Sequence, residues 1–239
     1  KTAVPVAVYK TKKQKRLIMD SRMIPTRFLA SVIREMKTRP DVFISASAIG
    51  YYGDQADQPL TEAAPKGDCF ISHVCDEWEK ASLDAIDAGI RTVQLRIGVV
   101  LTPAGGALER MMPAFRSGCG VQLSHGRQYM SWISMEDTLS GILHIINQPG
   151  ISGPVNLTAP HPVDNRTFSK ALASVFSKNV NFVMPEFVTR LLWGQMGVET
   201  LLASARVMPS KLLDTGFVFQ HERLPDALGA MLGHSQTAD

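Results

Sequence analysis

Four side chains that can hold or protonate a small molecule lie close together in the segment SASAIGYYG. Ser45 and Ser47 end a nearly apolar run at residues 41–49, and Tyr51 and Tyr52 follow it. A serine at a strand end can hold a carbonyl or hydroxyl group by a hydrogen bond, and a phenol can donate a proton. The alternative is that the serines only satisfy backbone groups and the tyrosines only anchor the loop.

Two arginines are further candidates for binding chemistry. Arg96 interrupts the apolar run RTVQLRIGVVL at residues 91–101, and Arg127 lies in a glycine-containing turn. A charge inside a buried strand needs a partner, which is either a carboxylate or a phosphate. Arg127 can hold a diphosphate or a sugar, or it lies in a surface turn without a ligand. For Arg96 we expect a structural ion pair.

Composition excludes several classes of protein. The chain has 239 residues, 45% of them hydrophobic, and a formal net charge of +3. The basic run at residues 10–16 predicts a solvated helix face and no nucleic-acid site, because the total charge is small and aromatic residues are not interleaved. No apolar stretch reaches the roughly 20 residues that span a bilayer. We therefore expect no nucleic-acid or membrane partner.

The cysteines argue against a metal site and against a disulfide framework. Cys69, Cys75 and Cys119 form no CxxC pair, and no histidine lies at zinc-finger spacing. We therefore expect no metal and a reducing, cytoplasmic compartment.

The apolar patterns predict the elements that position the candidate residues. Short runs at residues 41–49 and 91–101 predict strands buried on both faces, and residues 69–88 predict a helix between them. This order forms a right-handed βαβ unit, in which ligands bind beyond the carboxyl ends of the strands. We therefore expect a site around residues 45–53 and 97–103.

Further elements are predicted on both sides of this unit. Pro25 divides a helical pattern, which predicts one helix ending near Arg22 and another beginning near Ile24. Later patterns predict helices at residues 107–116, 136–146, 167–176, 186–193, 198–207 and 225–232, and strands at 128–133, 154–158 and 179–183.

Three segments together resemble the atypical branch of the extended short-chain dehydrogenase/reductases, the NAD-dependent epimerase/dehydratase-like family. They are SASAIGYYG at residues 45–53, LRIGVVLTPAGGAL at 95–108 and GRQYMSWISMED at 126–137. Residues 185–228 are similar to the family's C-terminal domain of unknown function. The resemblance implies an α/β fold, with a Rossmann-like doubly wound parallel sheet and a smaller, mostly helical C-terminal substrate region.

The resemblance also implies roles for individual residues. It implies NAD or NADP as cofactor and a helix near Arg96 that offers Asp137 or Glu136 as its partner. The implied catalytic residues are Ser47 and Tyr52, the cofactor-binding residues Ser45, Ala46, Ile97, Gly98 and Val99, and the substrate-binding residues Tyr51, Arg127 and Trp132.

One helix departs from the pattern of the superfamily. Active members carry Tyr-x-x-x-Lys there, but FISHVCDEWEKA at residues 70–81 has no tyrosine. The tyrosine position falls on Ile71 or Cys75, and the lysine position on Cys75 or Glu79. The usual proton relay therefore cannot operate. Ser134 stands where the resemblance implies a histidine, which puts any function of that histidine in doubt.

The glycine-rich turn of a dinucleotide site is missing from the first residues, since no glycine precedes Gly50. Residues 3–10 resemble the stretch after the fourth strand of the family, so we expect the first strands upstream of Lys1. The chain is then either a fragment or a natural short form. The unpaired, apolar sheet edge that a short form would leave favours a fragment.

These observations predict three regions and two alternative functions. Residues 1–118 would belong to a Rossmann-like NAD(P)-binding domain, 119–184 to a substrate-side region interleaved with the sheet, and 185–239 to a helical C-terminal domain. The predicted function is an NAD(P)-binding oxidoreductase or epimerase-like protein, with a homodimer as a candidate assembly. Its substrate would be a small molecule with a hydroxyl or keto group, and nucleotide-linked compounds are among the candidates. The alternative is a non-catalytic NAD(P)-binding or regulatory module.

Overall fold

The structure is a computed structural model that describes residues 11–233. The expectations for residues 3–10 lie outside this range. The strands within it are β1 (Val42–Ala48), β2 (Pro59–Leu60), β3 (Arg91–Ile97), β4 (Val99–Leu101), β5 (Val121–Leu123), β6 (Tyr129–Met130), β7 (Trp132–Ser134), β8 (Gly153–Leu157), β9 (Val163–Asp164), β10 (Phe182–Met184) and β11 (Arg206–Val207). The α-helices are α1 (Lys12–Glu35), α2 (Phe70–Lys80), α3 (Leu83–Asp87), α4 (Gly106–Arg116), α5 (Met135–Asn147), α6 (Asn165–Val175), α7 (Glu186–Met196), α8 (Ser210–Asp214) and α9 (Leu224–Leu232). A 3-10 turn (Ile49–Tyr52) and a π-helix (Gly197–Leu202) complete the set.

The central sheet of the described residues is parallel, in the order β1, β3, β8. Its register places Ser47 beside Arg96, and Arg96 beside Asn156. Residues opposite each other on neighbouring strands point to the same face of a sheet. Three polar side chains therefore form one row across the sheet.

The predicted strand at residues 91–101 forms, but Gly98 divides it into β3 and β4. β3 stays in the central sheet, whereas β4 pairs in parallel with β7. The backbone of the glycine lies so close to β7 that an added Cβ would be 2.6 Å from the carbonyl oxygen of Ser131. The division therefore allows the chain to change sheets at the carboxyl end of β3.

Two helix predictions near the start of the chain are wrong. α1 continues through Pro25 as a single helix. The lost hydrogen bond is offset by contacts on both sides of the proline, because Ile18 is buried in an apolar cluster and Trp78 Nε1 donates to Thr26 Oγ1 at 3.0 Å. The helix predicted over residues 69–88 is α2 and α3, separated where Ser82 Oγ donates to the carbonyl oxygen of Glu79.

The helix predicted over residues 198–207 is wrong in its second half. The π-helix ends at Leu202, and the chain continues as β11, which pairs in parallel with β2. Tertiary hydrogen bonds override the helical pattern, since Gln55 N donates to the carbonyl oxygen of Ser204 and Ser131 Oγ donates to that of Ala205. The predicted strand at 128–133 is likewise two short strands, β6 and β7, separated at Ser131.

The remaining predicted elements form within a few residues of their expected ends, and the α/β class with a Rossmann-like parallel sheet is confirmed. Large apolar side chains fill the space between the sheets and the helices, with Trp132, Phe168, Leu101 and Leu157 fully buried. In residues 11–233, none of the helices has the length and apolar character needed to cross a bilayer.

Candidate functional site

A cavity of about 340 Å³ lies beyond the carboxyl ends of β1 and β3. Ala48–Gly50 form one side and Ile97–Val99 the next, so both segments follow directly from central strands. Glu199–Leu201 of the π-helix close the opposite side. Ligands of parallel α/β sheets bind at this end of the strands. The cavity is therefore the candidate site, and it lies where the βαβ pattern predicts it.

Two glycines determine the shape of this cavity. An added Cβ at Gly98 would lie 2.6 Å from the Ser131 carbonyl oxygen and 2.9 Å from Thr158 Cγ2. A Cβ at Gly50 would collide with the Ile71 side chain. Any side chain at either position would push the wall out of place, so both walls require glycine.

The far wall consists of residues that the sequence did not indicate one by one, although some lie in the segments 95–108 and 126–137. Local patterns do not show that these residues meet at one cavity. They include Ala107, Met111, Leu123, Tyr129, Met130, Ser131, Asn165, Thr200, Leu201, Ala203 and Ala205.

Glu199 connects the far wall to α2. Its Oε2 accepts a hydrogen bond from the backbone N–H of Ile71 at 3.2 Å, in the first turn of that helix. The unpaired N–H groups and the dipole at a helix N-terminus favour a carboxylate there. Glu199 thus fixes the C-terminal region over the opening between β1 and α2.

Beneath the strand ends lies a second feature, a buried polar network centred on Arg96. Arg96 Nε and Nη2 donate to Glu79 Oε1 and Oε2, each at 2.9 Å, and Ser47 Oγ donates to Oε1 at 2.7 Å. The expected partners Asp137 and Glu136 are wrong. Asp137 instead accepts hydrogen bonds from the backbone N–H groups that follow Phe219.

Arg96 also joins two tyrosines to this network. Its Nη1 donates to the Tyr52 hydroxyl at 3.0 Å, and that hydroxyl donates to Asn156 Oδ1 at 2.6 Å. The guanidinium carbon lies 3.5 Å from the centre of the Tyr51 ring, which is a cation–π contact. Burial raises the pKa of Tyr52. Burial by itself lowers the pKa of Arg96, but the hydrogen bonds and charge interactions with Glu79 and Tyr52 together outweigh it and raise that pKa.

The structure separates the predicted site residues into two groups. Ile97, Gly98 and Val99 line the cavity. The other seven lie outside its wall, as far as residues 11–233 define it: Ser45, Ser47, Tyr52 and Trp132 are buried, Tyr51 is half-buried, and Ala46 and Arg127 are exposed. The roles of these residues stay predictions.

Comparison with known proteins identifies the family. Over 215 residues the chain is 41% identical to the epimerase family protein Mb2239 of Mycobacterium bovis, covering 90% of this chain and 71% of that protein. The chain belongs to the epimerase family. Residues 184–231 of this family member also match the profile described as "Domain of unknown function (DUF1731)". The resemblance found in the sequence motifs is therefore confirmed.

Solved structures agree with this assignment. The human epimerase family protein SDR39U1, crystallised with NADPH, aligns at a TM-score of 0.88 and 26% identity, over 94% of this chain and 76% of that one. The nucleoside-diphosphate sugar epimerase of Corynebacterium glutamicum aligns at 0.78 and 33% identity, over 98% of this family member and 46% of that chain.

Proposed function

We propose that the protein binds NADPH or NADH with the nicotinamide in the cavity and acts on a hydroxyl or keto group of a small molecule. The observation that carries this proposal is the cavity at the carboxyl ends of β1 and β3, with Gly98 in its wall. A human relative crystallised with NADPH supports the cofactor class.

The residues present fit a flat aromatic ring. Ile97 and Val99 give an apolar wall, and Gly98 between them lets this wall pack closely against β7. When bound, the nicotinamide supplies or accepts a hydride at a carbon of the substrate. Ala48–Gly50 and Ile97–Val99 would hold the ring and keep water from it.

The proton for such a reaction has to come from a group other than the superfamily's tyrosine. Ile71 and Cys75, the two candidate positions, are both buried and apolar. The hydroxyl protons of Ser47 and Tyr52 are donated to Glu79 and Asn156. As placed, these two hydroxyls lie buried outside the cavity wall and cannot donate a hydrogen bond to a substrate there.

Thermal unfolding with NADPH tests the proposal. The natural gene product is used, including whatever precedes Lys1. Saturation at 100 times the dissociation constant stabilises a folded protein by about 2.7 kcal/mol. We expect NADPH to raise the midpoint of wild type and of Gly150→Ala, a turn variant with open space around the added methyl. Gly98→Ala should lose most of this shift, and circular dichroism checks that it is folded. No shift with NADPH or NADH in wild type would refute the proposal.

The non-catalytic module remains the second candidate, because the hydroxyls predicted for catalysis are hydrogen-bonded within the protein. Cofactor binding without oxidation of NADPH, across ketones, aldehydes and sugar nucleotides, would favour this candidate. The choice between NAD and NADP, a homodimer, the cytoplasmic location and the three domain boundaries stay predictions.

A further inference from the structure

We infer that the cavity takes an uncharged, mainly apolar carbonyl or alcohol compound and discriminates against sugar nucleotides. This inference rests on the proposed function, because it concerns the space beside the nicotinamide. It is carried by the chemistry of the wall opposite Ile97–Val99.

The wall offers a substrate mostly apolar contact. Met111, Leu123, Met130 and Leu201 line the cavity together with Ala205. Burying a substrate's apolar surface against such side chains contributes about 25 cal/mol for each Å² removed from water. A cavity of about 340 Å³ that also holds a nicotinamide leaves room for only a small molecule.

Two polar side chains in the wall, those of Ser131 and Asn165, are already hydrogen-bonded within the protein. Ser131 Oγ donates to the carbonyl oxygen of Ala205 and accepts from the backbone N–H of Val207. Asn165 Oδ1 accepts from the backbone N–H of Leu123, and its Nδ2 contacts a methionine sulfur. A sugar brings several hydroxyl groups that need partners, and leaving them unpaired in a closed site costs affinity.

The charge in the wall also opposes a diphosphate. Among the described residues, the cavity wall contains no arginine, lysine or histidine, and its charged member is the carboxylate of Glu199. Phosphates are held by cationic side chains, and an anion buried without one is strongly disfavoured. Arg127 is exposed on a loop, and Arg206 lines a separate cavity with His161 and Glu222.

A matched pair of ligands tests the inference on the NADPH complex. Acetophenone and 4-acetylbenzoate have the same ketone and ring, but the second carries a carboxylate. Calorimetric titration of NADPH-saturated protein is expected to give a dissociation constant at least about tenfold lower for acetophenone than for 4-acetylbenzoate or UDP-glucose. Tighter or equal binding of UDP-glucose, or no binding of acetophenone, would overturn the inference.

Two variants test whether acetophenone binds against the cavity wall. Leu201→Arg puts a cation into the cavity and should weaken acetophenone binding by about tenfold or more. Leu191→Arg makes the same change at a side chain that is 76% exposed, and it should leave binding unchanged. An equal weakening of acetophenone binding by the two substitutions would contradict the assignment of the binding site to the cavity.

Glu199→Gln keeps an oxygen for the Ile71 N–H and removes the charge, so the fold is preserved while the electrostatics change. We expect the preference for acetophenone over 4-acetylbenzoate to fall by about fivefold or more. An unchanged preference would show that the carboxylate does not set the selectivity. Failure of NADPH to stabilise wild type would instead refute the proposed function, so the two failures are distinguishable.

Discussion

The regions below and above the carboxyl ends of the central strands differ in their chemistry and in their role. Below them, Ser47, Glu79, Arg96, Tyr52 and Asn156 form a buried polar network that joins β1, β3 and β8 to α2. Above them lies the cavity, whose walls are mostly glycine and apolar side chains. The residues of the motif SASAIGYYG that look reactive thus stabilise the fold, whereas glycine and apolar residues shape the cavity.

The network explains why a charged residue is tolerated in a central strand. The Arg96 side chain is only 4% exposed and that of Glu79 13%. Taking both charges out of water is costly, but the two parallel hydrogen bonds and the contacts to Tyr52 satisfy most of the donors of Arg96. Each member of the network therefore depends on the others for its hydrogen bonds.

The largest effect is expected for Arg96→Met, which leaves the Glu79 carboxylate buried without its cation. Breaking a buried pair from one side costs about 3–5 kcal/mol. Urea unfolding should show this loss. The double variant Arg96→Met/Glu79→Leu should recover much of it.

The matched control is Arg34→Met, because the ion pairs of Arg34 with Glu35 and Asp84 lie at the surface. It should hardly change the urea midpoint. Equal losses for Arg96→Met and Arg34→Met would contradict a network that stabilises the sheet.

The next effect is a loss of stability at alkaline pH that is linked to the same network. Burial and, secondarily, the charge of Glu79 raise the pKa of Cys75 from 9.0 to about 12. The unfolded thiol ionises first, so stability is fully present below pH 9.0 and falls by a few kcal/mol as pH rises toward about 12. Urea unfolding across this range measures the slope.

Cys75→Ala should flatten that slope, whereas Cys119→Ala removes an exposed thiol and should leave it as in wild type. Parallel pH profiles for wild type and Cys75→Ala would show that the buried thiol does not contribute.

A smaller loss is expected for Tyr52→Phe, which removes the hydroxyl between Arg96 and Asn156. The unfolding free energy should fall by about 1–3 kcal/mol, because a buried acceptor is left without its donor. Tyr51→Phe keeps the ring that lies against Arg96 and should change stability by less than about 0.5 kcal/mol. A larger loss of stability for Tyr51→Phe than for Tyr52→Phe would contradict the hydrogen-bond assignment.

The sequence predicted the central strands and helices better than the side-chain contacts between them. The runs at residues 41–49 and 91–101 identify two central strands, because buried parallel strands are continuously apolar. The βαβ rule then places a site around residues 45–53 and 97–103, and Ala48–Gly50 and Ile97–Val99 line the cavity. Local patterns could not show that Glu79 on α2 meets Arg96 or that Trp78 fixes α1 near Pro25, since both contacts form between separate elements.

The far wall of the cavity was not predicted for a related reason. The π-helix Gly197–Leu202 places Glu199 and Leu201 at the site, but the helical pattern at residues 198–207 does not show what these side chains face. The family resemblance covers residues 95–108, 126–137 and 185–228, which contain much of this wall, but it named none of these wall residues beyond Ile97, Gly98 and Val99.

The dissociation constant of NADPH for Ser47→Ala tests the separation of the two regions most directly. Ser47 lies in the motif SASAIGYYG, where the family resemblance implies a catalytic role, yet its hydroxyl donates to Glu79 within the network. The account predicts a dissociation constant within about threefold of wild type, together with an unfolding free energy lowered by about 1–2 kcal/mol. A dissociation constant raised about tenfold, with unchanged stability, would contradict it by placing the hydroxyl in the cofactor site.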